Sequence, residues 1–345
     1  MLTTPFTAAS LRSLLTLVIA FAVMFIFALP LYAGPKLGYQ SFIVGNAADA
    51  PQSPGLTNGL VLMGGGTDVD AAFQWMCQRA GGGDFVVIRT TGTDAYNPYI
   101  QQLCPQMDSV ETIIITSTTG ANSTYVSSHI QNAEALWIAG GDQSNYINYW
   151  QGTSVEQTLN GLIARGVPIG GTSAGMNVLG EFIYSAQASQ AITSSEALAN
   201  PFSKYITLVR DFVNITNLQG IIDDPHFVTR DRMGRDLAFM CRLYTNGWSS
   251  GPRDISIDEK TALLIDGSGN GSVVGTSTVY FMQAPGAPQV CQPGTPLTYQ
   301  NIAIYRINAG ATFNLSRWQG KGGTAYTVSA TAGVLSSTQP NGSIY

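Results

Sequence analysis

The stretch GVPIGGTSAGMNV, residues 166–178, carries a serine between glycines at the end of a short apolar run. Its central part, Gly171 to Gly175, fits the pattern G-x-S-x-G, and the segment after it is compatible with a helix. A strand, a sharp turn and a helix are the context of a nucleophile elbow, in which glycines make room for an exposed serine hydroxyl. The sequence therefore predicts that Ser173 is a nucleophile; the alternative is one more small residue in a crowded turn.

Similar apolar runs precede this stretch, and segments that can form helices separate them. They are GLVLMGG (59–65), DFVVIRTT (84–91), ETIIITST (111–118) and EALWIAGG (134–141). Continuous apolar strands that alternate with helices indicate a parallel sheet that is covered on both faces. We expect an α/β fold, a three-layer sandwich around a mostly parallel sheet.

The helix before the serine-bearing strand has the clearest periodicity. In SVEQTLNGLIARG, residues 154–166, one helical face carries Val155, Leu159, Leu162 and Ile163. The pattern predicts a capping box of Ser154 with Gln157 and a stop at Gly166. Ligands of such sheets bind beyond the carboxyl ends of the strands. Glycine clusters lie at those ends, at residues 64–66, 140–141 and 170–171. Either they let a ligand approach the backbone closely, or they merely form tight turns.

A serine nucleophile needs a base, and the chain has two histidines. His129 lies in a predicted amphipathic helix, where a surface histidine is the ordinary interpretation. His226 ends an apolar run and precedes a helix predicted to start at Thr229, so a second strand end could bring it to Ser173. A carboxylate should orient the base. Glu196 and Glu181 both lie between Ser173 and His226, and spacing does not decide between them.

Three arginines, Arg230, Arg232 and Arg235, follow His226 within one predicted helical stretch, with Asp231 and Asp236 interleaved. Because arginine binds carboxylates through two parallel hydrogen bonds, the cluster suggests an acidic substrate or a free substrate carboxylate. Intrahelical ion pairs are the alternative.

The two ends of the chain differ from its middle. Residues 1–33 carry one charge, Arg12, and an apolar run too short for an ordinary bilayer span, which predicts a cleaved export signal rather than a membrane anchor. Residues 34–265 are predicted to form the α/β domain. Residues 266–345, rich in Gly, Ser and Thr, are predicted to form a β-rich extension that packs on the same domain.

Composition narrows the partners and the compartment. The net charge is −5 and only 11% of the residues are charged, without a basic patch for nucleic acid or a polybasic segment for a membrane. Four cysteines fit an oxidising compartment, secreted or periplasmic. Pairing by nearness in sequence predicts bridges Cys77–Cys104 and Cys241–Cys291; four buried thiols are the alternative. A homodimer is possible, and no metal or cofactor is expected.

Several motifs together resemble the cyanophycinase and aspartyl-dipeptidase serine peptidases over roughly residues 58–265. They are GGG (64–66), GGDQ (140–143), GTSAG (171–175), SSEALANP (194–201), DPHFVTRDRMGR (224–235) and IDEKTALLI (257–265). The resemblance implies a class I glutamine amidotransferase-like sandwich. It implies Ser173 as nucleophile, His226 as general base, and Glu196 rather than Glu181 as the acid.

The resemblance also implies a substrate pocket. Its members would be Gln143, Asp224 and the three arginines. Because the start of a helix after Ser173 directs amide donors at a developing oxyanion, we expect backbone amides near Gly141 and Ala174 to form the oxyanion hole. This sequence departs from the cyanophycinases at Pro225, where they commonly carry Gln, Ser or Thr. The tripeptide PHF, residues 225–227, resembles that of the aspartyl dipeptidases instead.

We therefore expect an exported serine peptidase that cleaves peptide or isopeptide bonds next to aspartate, such as those of cyanophycin. The alternatives are an α-aspartyl dipeptidase and a catalytically silent protein that binds acidic peptides or polymers. A dinucleotide-binding enzyme fits poorly, because GGGTDVD (64–70) lacks the third glycine of that fingerprint.

Overall fold

A computed structural model describes residues 37–51, 55–188 and 190–345, so the predicted export signal lies outside the described residues. The strands are, in chain order, β1 Tyr39–Gly45, β2 Gly59–Met63, β3 Asp84–Arg89, β4 Ser109–Ile115, β5 Ala135–Ile138, β6 Ile169–Thr172, β7 Phe182–Tyr184, β8 Leu208–Arg210, β9 Ile221–Asp224, β10 Arg253–Ile257, β11 Thr261–Asp266, β12 Asn270–Gly275, β13 Thr278–Gln283, β14 Tyr299–Asn308, β15 Thr312–Asn314, β16 Gln319–Lys321, β17 Thr324–Thr331 and β18 Val334–Ser337.

The helices are α1 Asp70–Ala80, α2 Tyr96–Leu103, α3 Thr118–Ala121, α4 Thr124–Asn132, α5 Gln143–Trp150, α6 Ser154–Ala164, α7 Ala174–Asn177, α8 Ser194–Ala199 and α9 Met233–Thr245. Single 3₁₀ turns lie at Thr216–Leu218 and Pro340–Gly342.

The first sheet contains all five strands predicted from the apolar runs. Within the described residues it has ten strands in the order β1-β4-β3-β5-β6-β2-β11-β12-β15-β16. The five predicted strands, β4-β3-β5-β6-β2, are its parallel centre. Antiparallel strands extend both sides of this centre. The carboxyl ends of β2, β5 and β6 therefore meet at one edge, as the sequence predicts.

A second sheet was not expected from the sequence. Over the same described residues it has eight strands in the order β18-β17-β14-β13-β10-β9-β7-β8, of which β7, β9 and β10 run parallel to one another. The strands after residue 266 divide between the two sheets rather than forming a separate layer. The fold is thus α/β with two large mixed sheets, and the expected mostly parallel single sheet describes only the centre of the first one.

Three buried clusters explain why the central strands of both sheets are buried on both faces. One joins the first sheet to α4, α5, α6 and the second sheet, and includes Leu62, Trp150 and Ile255. Another packs α1 and α2 on the opposite face of the first sheet. The third packs α8 and α9 on the far face of the second sheet. Burial on both faces is what continuous apolar strands require.

Helix α6 follows its predicted apolar face but not its predicted cap. Val155, Leu159 and Leu162 are buried, and Ile163 packs against them. The helix begins at Ser154 with Thr153 at the N-cap, whose side chain makes no cap hydrogen bond. The Ser154 backbone and hydroxyl instead donate to Asn122 Oδ1 (3.0 and 3.2 Å), so the predicted Ser154–Gln157 capping box is wrong.

Both predicted disulfides are present. Cys77 on α1 is bonded to Cys104 after α2, and Cys241 on α9 is bonded to Cys291. Such bridges are compatible with an oxidising, extracellular or periplasmic compartment. In residues 37–51, 55–188 and 190–345, no helix has both the length and the apolar character needed to cross a bilayer.

Candidate active site

Ser173 lies on a sharp turn between β6 and α7. Its backbone has φ 52° and ψ −122°, a sparsely populated conformation for a residue with a side chain, and it occupies the N-cap position of α7. Gly175 must be glycine here, because a Cβ would overlap the carbonyl oxygen of Ile138. The local geometry is that of a nucleophile elbow, as the G-x-S-x-G pattern predicts.

His226 reaches Ser173 from the second sheet. It lies two residues after β9, also with a positive φ (52°), and its Nε2 is 2.7 Å from Ser173 Oγ. Its backbone N–H donates to Gly64 O (2.8 Å). Gly65, with φ 93°, lies against the imidazole so closely that a Cβ would overlap the ring. The glycines at the end of β2 therefore serve as a surface on which the histidine ring packs.

Glu259 lies on the other side of the imidazole. It follows β10, the parallel neighbour of β9, and its Oε1 is 2.6 Å from His226 Nδ1. The preceding residue, Asp258, accepts hydrogen bonds from Thr229 N–H and hydroxyl (both 2.8 Å) and from Ser277 (2.7 Å), which ties the turn after β10 to the turn after His226. Serine hydroxyl, imidazole and carboxylate form one hydrogen-bonded line.

The surroundings favour the neutral form of the imidazole. Burial lowers the pKa of His226 below its ordinary value, the hydrogen bond with Glu259 opposes that shift, and the charges of Arg230 and Arg232 reinforce it. A neutral histidine can accept a proton from the serine, so this electrostatic setting suits a general base.

A pocket of about 280 Å³ opens beside Ser173 and His226. Gln143 lines it at the start of α5, and Gln143 Nε2 donates to Tyr184 O (3.4 Å). Gly141 and Ala174, the two positions predicted to contribute oxyanion amides, line the same pocket. The structure thus brings together the predicted nucleophile, base and Gln143.

All three predicted arginines line this pocket, but they do not share a helix. Asp231 has φ 49°, a conformation that a right-handed helix does not contain, and α9 begins only at Met233. The predicted helix start at Thr229 is therefore wrong, and of the three arginines only Arg235 lies in a helix. Arg230 is 54% exposed at the side chain, with Nε 3.9 Å from Glu259 Oε1. Arg230 is therefore the arginine most accessible to a ligand.

Asp224 differs from its predicted place, since it lies behind the pocket instead of lining it. It is fully buried and accepts from Arg235 Nε (2.7 Å) and Nη2, and from Arg232 Nη1 (2.9 Å). Although burial alone would raise the pKa of Asp224, the two guanidinium groups hold it below its usual range. The carboxylate orients two arginines and compensates their charge.

Two further buried carboxyls complete this network beneath the arginines. Ser256 Oγ lies 2.8 Å from Asp236 Oδ2 and 2.6 Å from Asp254 Oδ1. A hydroxyl has one proton, so one of these carboxyls must donate, and burial raises the pKa of both Asp236 and Asp254 well above the ordinary value. Within the described residues, no group of three or more His, Cys, Asp or Glu could hold a metal ion.

Comparison with known families agrees with this geometry. The sequence profile of peptidase family S51 matches residues 60–271, which is more than half of the chain and includes Ser173, His226 and Glu259. The chain belongs to peptidase family S51. Family membership indicates a serine peptidase, in line with the resemblance drawn from the motifs.

Solved structures similar to this S51 peptidase are themselves described as peptidases. A peptidase from an acI-B1 Actinobacterium matches with a TM-score of 0.52 and 17% identity, over 75% of this chain and 98% of that one. A candidate peptidase E protein from Listeria monocytogenes EGD-e matches with a TM-score of 0.41 and 15% identity, over 64% of this chain and 99% of that one. At these identities the first likeness concerns the fold. A search of curated proteins returns no match.

Neither carboxylate considered in the sequence contacts the histidine of this S51 peptidase. Glu196 is exposed on α8, where its Oε2 accepts from the backbone N–H (3.0 Å) and hydroxyl (2.7 Å) of Thr193 in a capping box. Glu181 Oε2 accepts from the Gly220 N–H (2.5 Å). The expected contact of Glu196 with His226 is therefore wrong, because its carboxylate is already used to cap its own helix.

Sequence reasoning places the acid between Ser173 and His226, whereas Glu259 follows His226 in the chain. Its signal was present: in SIDEKTA, residues 256–262, an acid follows the end of an apolar strand, just as His226 follows β9. The other histidine, His129, is a partly exposed residue of α4 whose Nδ1 lies 2.6 Å from Glu111 Oε2.

Proposed function

We propose that this S51 peptidase is an exported serine hydrolase that cleaves peptide or isopeptide bonds next to aspartate through Ser173, His226 and Glu259. The observation that carries the proposal is the line of two short hydrogen bonds, 2.7 Å from Ser173 to His226 and 2.6 Å from His226 to Glu259, at the wall of an arginine-lined pocket. The sandwich layering of class I glutamine amidotransferases, which the resemblance implies, belongs to the same proposal.

The reaction proceeds in two acyl-transfer steps. His226 Nε2 takes the serine proton as Ser173 Oγ attacks the scissile carbonyl carbon, and then gives the proton to the leaving amine. Glu259 accepts the Nδ1–H and stabilises the imidazolium that forms between these events. His226 then takes a proton from a water molecule that attacks the acyl carbon, and it returns this proton to Ser173 Oγ as the bond between the acyl group and the serine breaks. Backbone amides near Gly141 and Ala174 stabilise the tetrahedral oxyanion.

The arginines supply the substrate preference. The exposed guanidinium of Arg230 can bind a carboxylate of the substrate, while Arg232 and Arg235 are held by Asp224 at the pocket wall. An aspartyl residue has a second carboxyl group besides the one in the bond that is cut, and this group can pair with an arginine. Cyanophycin, with release of β-aspartyl-arginine, is the substrate class that the motif resemblance favours.

Pro225 supports a second candidate, an α-aspartyl dipeptidase. It lines the pocket next to His226 and offers no side-chain hydrogen bond where cyanophycinases carry a polar residue. We propose this activity as the alternative. A catalytically silent binding protein is less well supported, because the hydrogen-bonded line from Ser173 to Glu259 has no purpose in binding alone.

A substrate panel separates these possibilities. The purified protein is incubated with cyanophycin, β-aspartyl-arginine dipeptide and α-aspartyl dipeptides, with Ser173→Ala as control, and the products are followed by mass spectrometry. Release of β-aspartyl-arginine by the native protein alone supports the first candidate. Cleavage confined to the α-aspartyl peptides supports the second, and no cleavage of any substrate contradicts both.

The pH dependence of kcat/KM provides a further prediction. His226 acts as a base only when neutral, so activity is lost as the pH falls through its pKa in the free enzyme. Because burial lowers that pKa, we expect the acidic midpoint below about 6.5, the ordinary value of histidine. Replacing Arg230, whose charge contributes to the shift, should move the midpoint upward in Arg230→Gln. A native midpoint above 6.5, or a downward move in the variant, contradicts the assignment.

A further inference from the structure

The first turn of α9 lacks a capping residue of its own. The N-cap residue is Arg232, whose side chain makes no cap hydrogen bond and is directed instead at Asp224 and Pro225 O. The first backbone N–H groups of a helix have no partner within the helix and need one from elsewhere. The arginine segment Pro225–Arg232 leads directly into this turn, so whatever caps α9 also fixes the end of that segment.

Two hydroxyls from distant parts of the chain cap this turn. Ser194 of α8 accepts from the N–H of Gly234 (3.1 Å) and Arg235 (3.2 Å) and donates to Asp231 O. Tyr345 accepts from the Met233 N–H (3.0 Å) and donates to Asp231 Oδ1 (2.8 Å). The tyrosine therefore joins the residue of the left-handed turn to the first residue of the helix.

The ring of Tyr345 makes contacts of its own, in addition to those of its hydroxyl. It makes edge contacts with Phe227, the residue after the histidine, at 5.4 Å between centroids, and with Tyr280 at 6.2 Å. The segment before it is anchored by Tyr326, whose hydroxyl donates to Ile344 O (3.0 Å). A tyrosine more than a hundred residues away thus contacts both ends of the segment that carries His226, Arg230 and Arg232.

That segment needs external support. His226 and Asp231 both have positive φ, a conformation that costs residues with side chains free energy and persists only when the surroundings impose it. We propose that Tyr345 is a positioning residue that holds the Pro225–Arg232 segment, and with it Arg230 and Arg232, in the geometry that binds the substrate carboxylate. The effect of Tyr345 on substrate binding rests on the proposed function. The effect of Tyr345 on the segment rests on geometry alone.

Tyr345→Phe tests the first part without deleting the ring, and Tyr299→Phe is the matched control. Tyr299 is a buried tyrosine whose hydroxyl donates to Gly286 O (2.6 Å), away from the segment. Amide hydrogen exchange is read at Arg230, Arg232 and Arg235. The N–H of Arg230 donates to His226 O and that of Arg232 to Phe227 O. The N–H of Arg235 donates to Arg232 O and Ser194 Oγ, so none of the three is bonded to Tyr345. We expect exchange about five- to tenfold faster in Tyr345→Phe, the low end of the factor that the two lost hydrogen bonds of the hydroxyl carry. Unchanged exchange relative to Tyr299→Phe overturns the proposal.

Kinetics test the second part. With an aspartyl substrate, we expect KM to rise about three- to tenfold in Tyr345→Phe while kcat stays within about twofold, because Ser173, Glu259 and the carbonyl of Gly64 hold His226 at the other end of the segment independently of Tyr345. Faster exchange with an unchanged KM overturns the positioning role. Failure of a fluorophosphonate to label Ser173 in the native protein contradicts the proposed function instead, and the exchange comparison still decides whether Tyr345 anchors the segment.

Discussion

Glu259→Gln is expected to lower kcat by about 10³- to 10⁴-fold with little change in KM. The carboxylate accepts the Nδ1–H of His226 at 2.6 Å and so fixes the tautomer that leaves Nε2 free to take the serine proton. An amide at this place can donate to Nδ1, which turns Nε2 into a donor, and it cannot stabilise the imidazolium. Steady-state kinetics on the substrate identified by the panel measure the loss.

Glu196→Gln is the control for this prediction. Glu196 is the acid that the motif resemblance favours, and it is exposed, with its carboxylate bonded to Thr193. Glutamine serves the capping box about as well as glutamate, so activity should stay within about twofold. If Glu196→Gln abolishes activity while Glu259→Gln leaves it intact, the hydrogen-bonded line described here is not the catalytic one.

Asp224→Ala is expected to lower the free energy of unfolding by about 3–5 kcal/mol. Asp224 and Arg235 are both almost wholly inaccessible to solvent, and the carboxylate accepts two hydrogen bonds from Arg235 and one from Arg232. Removing it leaves a buried guanidinium without the carboxylate that accepts two of its hydrogen bonds, and burial raises the pKa of the neighbouring Asp236 and Asp254, which disfavours their charged forms as replacements. Denaturant unfolding of the variant and the native protein gives the difference.

An exposed ion pair provides the comparison. Asp211 lies 3.3 Å from Arg210, with 65% and 49% of the two side chains exposed. Asp211 has φ 61°, a backbone conformation that asparagine tolerates as well as aspartate does. Because water screens such pairs, Asp211→Asn should change the free energy of unfolding by less than about 1 kcal/mol. Equal losses in Asp211→Asn and Asp224→Ala would contradict the role given to the buried pair. Loss of activity in Asp224→Ala is expected too, since Arg232 and Arg235 lose their orientation.

The parts of the site that depend on local sequence could be predicted. Ser173 lies where its strand, glycines and following helix indicate, and the five central strands follow from runs of apolar residues. His226 could be found because the chain has only two histidines and one of them follows an apolar run. The disulfides follow from nearness in sequence.

The remaining parts depend on pairing between distant segments. Glu259 reaches His226 only because β9 and β10 lie side by side in parallel, and α9 separates these strands in the chain. The second sheet also depends on pairing between distant segments. In addition, its strands β7, β8 and β9 are only three or four residues long, too short for a clear pattern in the sequence. The capping role of Glu196 is visible in the sequence, because Thr193 followed three residues later by a glutamate is the signature of a capping box.

Active-site labelling tests the central claim most directly. The native protein is treated with a fluorophosphonate, and the modified residue is located by peptide mass spectrometry, with Ser173→Ala and Glu259→Gln treated in parallel. We predict one adduct, on Ser173, absent in Ser173→Ala and formed far more slowly in Glu259→Gln. Labelling of a different serine, or labelling of Ser173 at an equal rate in Glu259→Gln, would contradict the assignment of Ser173, His226 and Glu259 as the catalytic line.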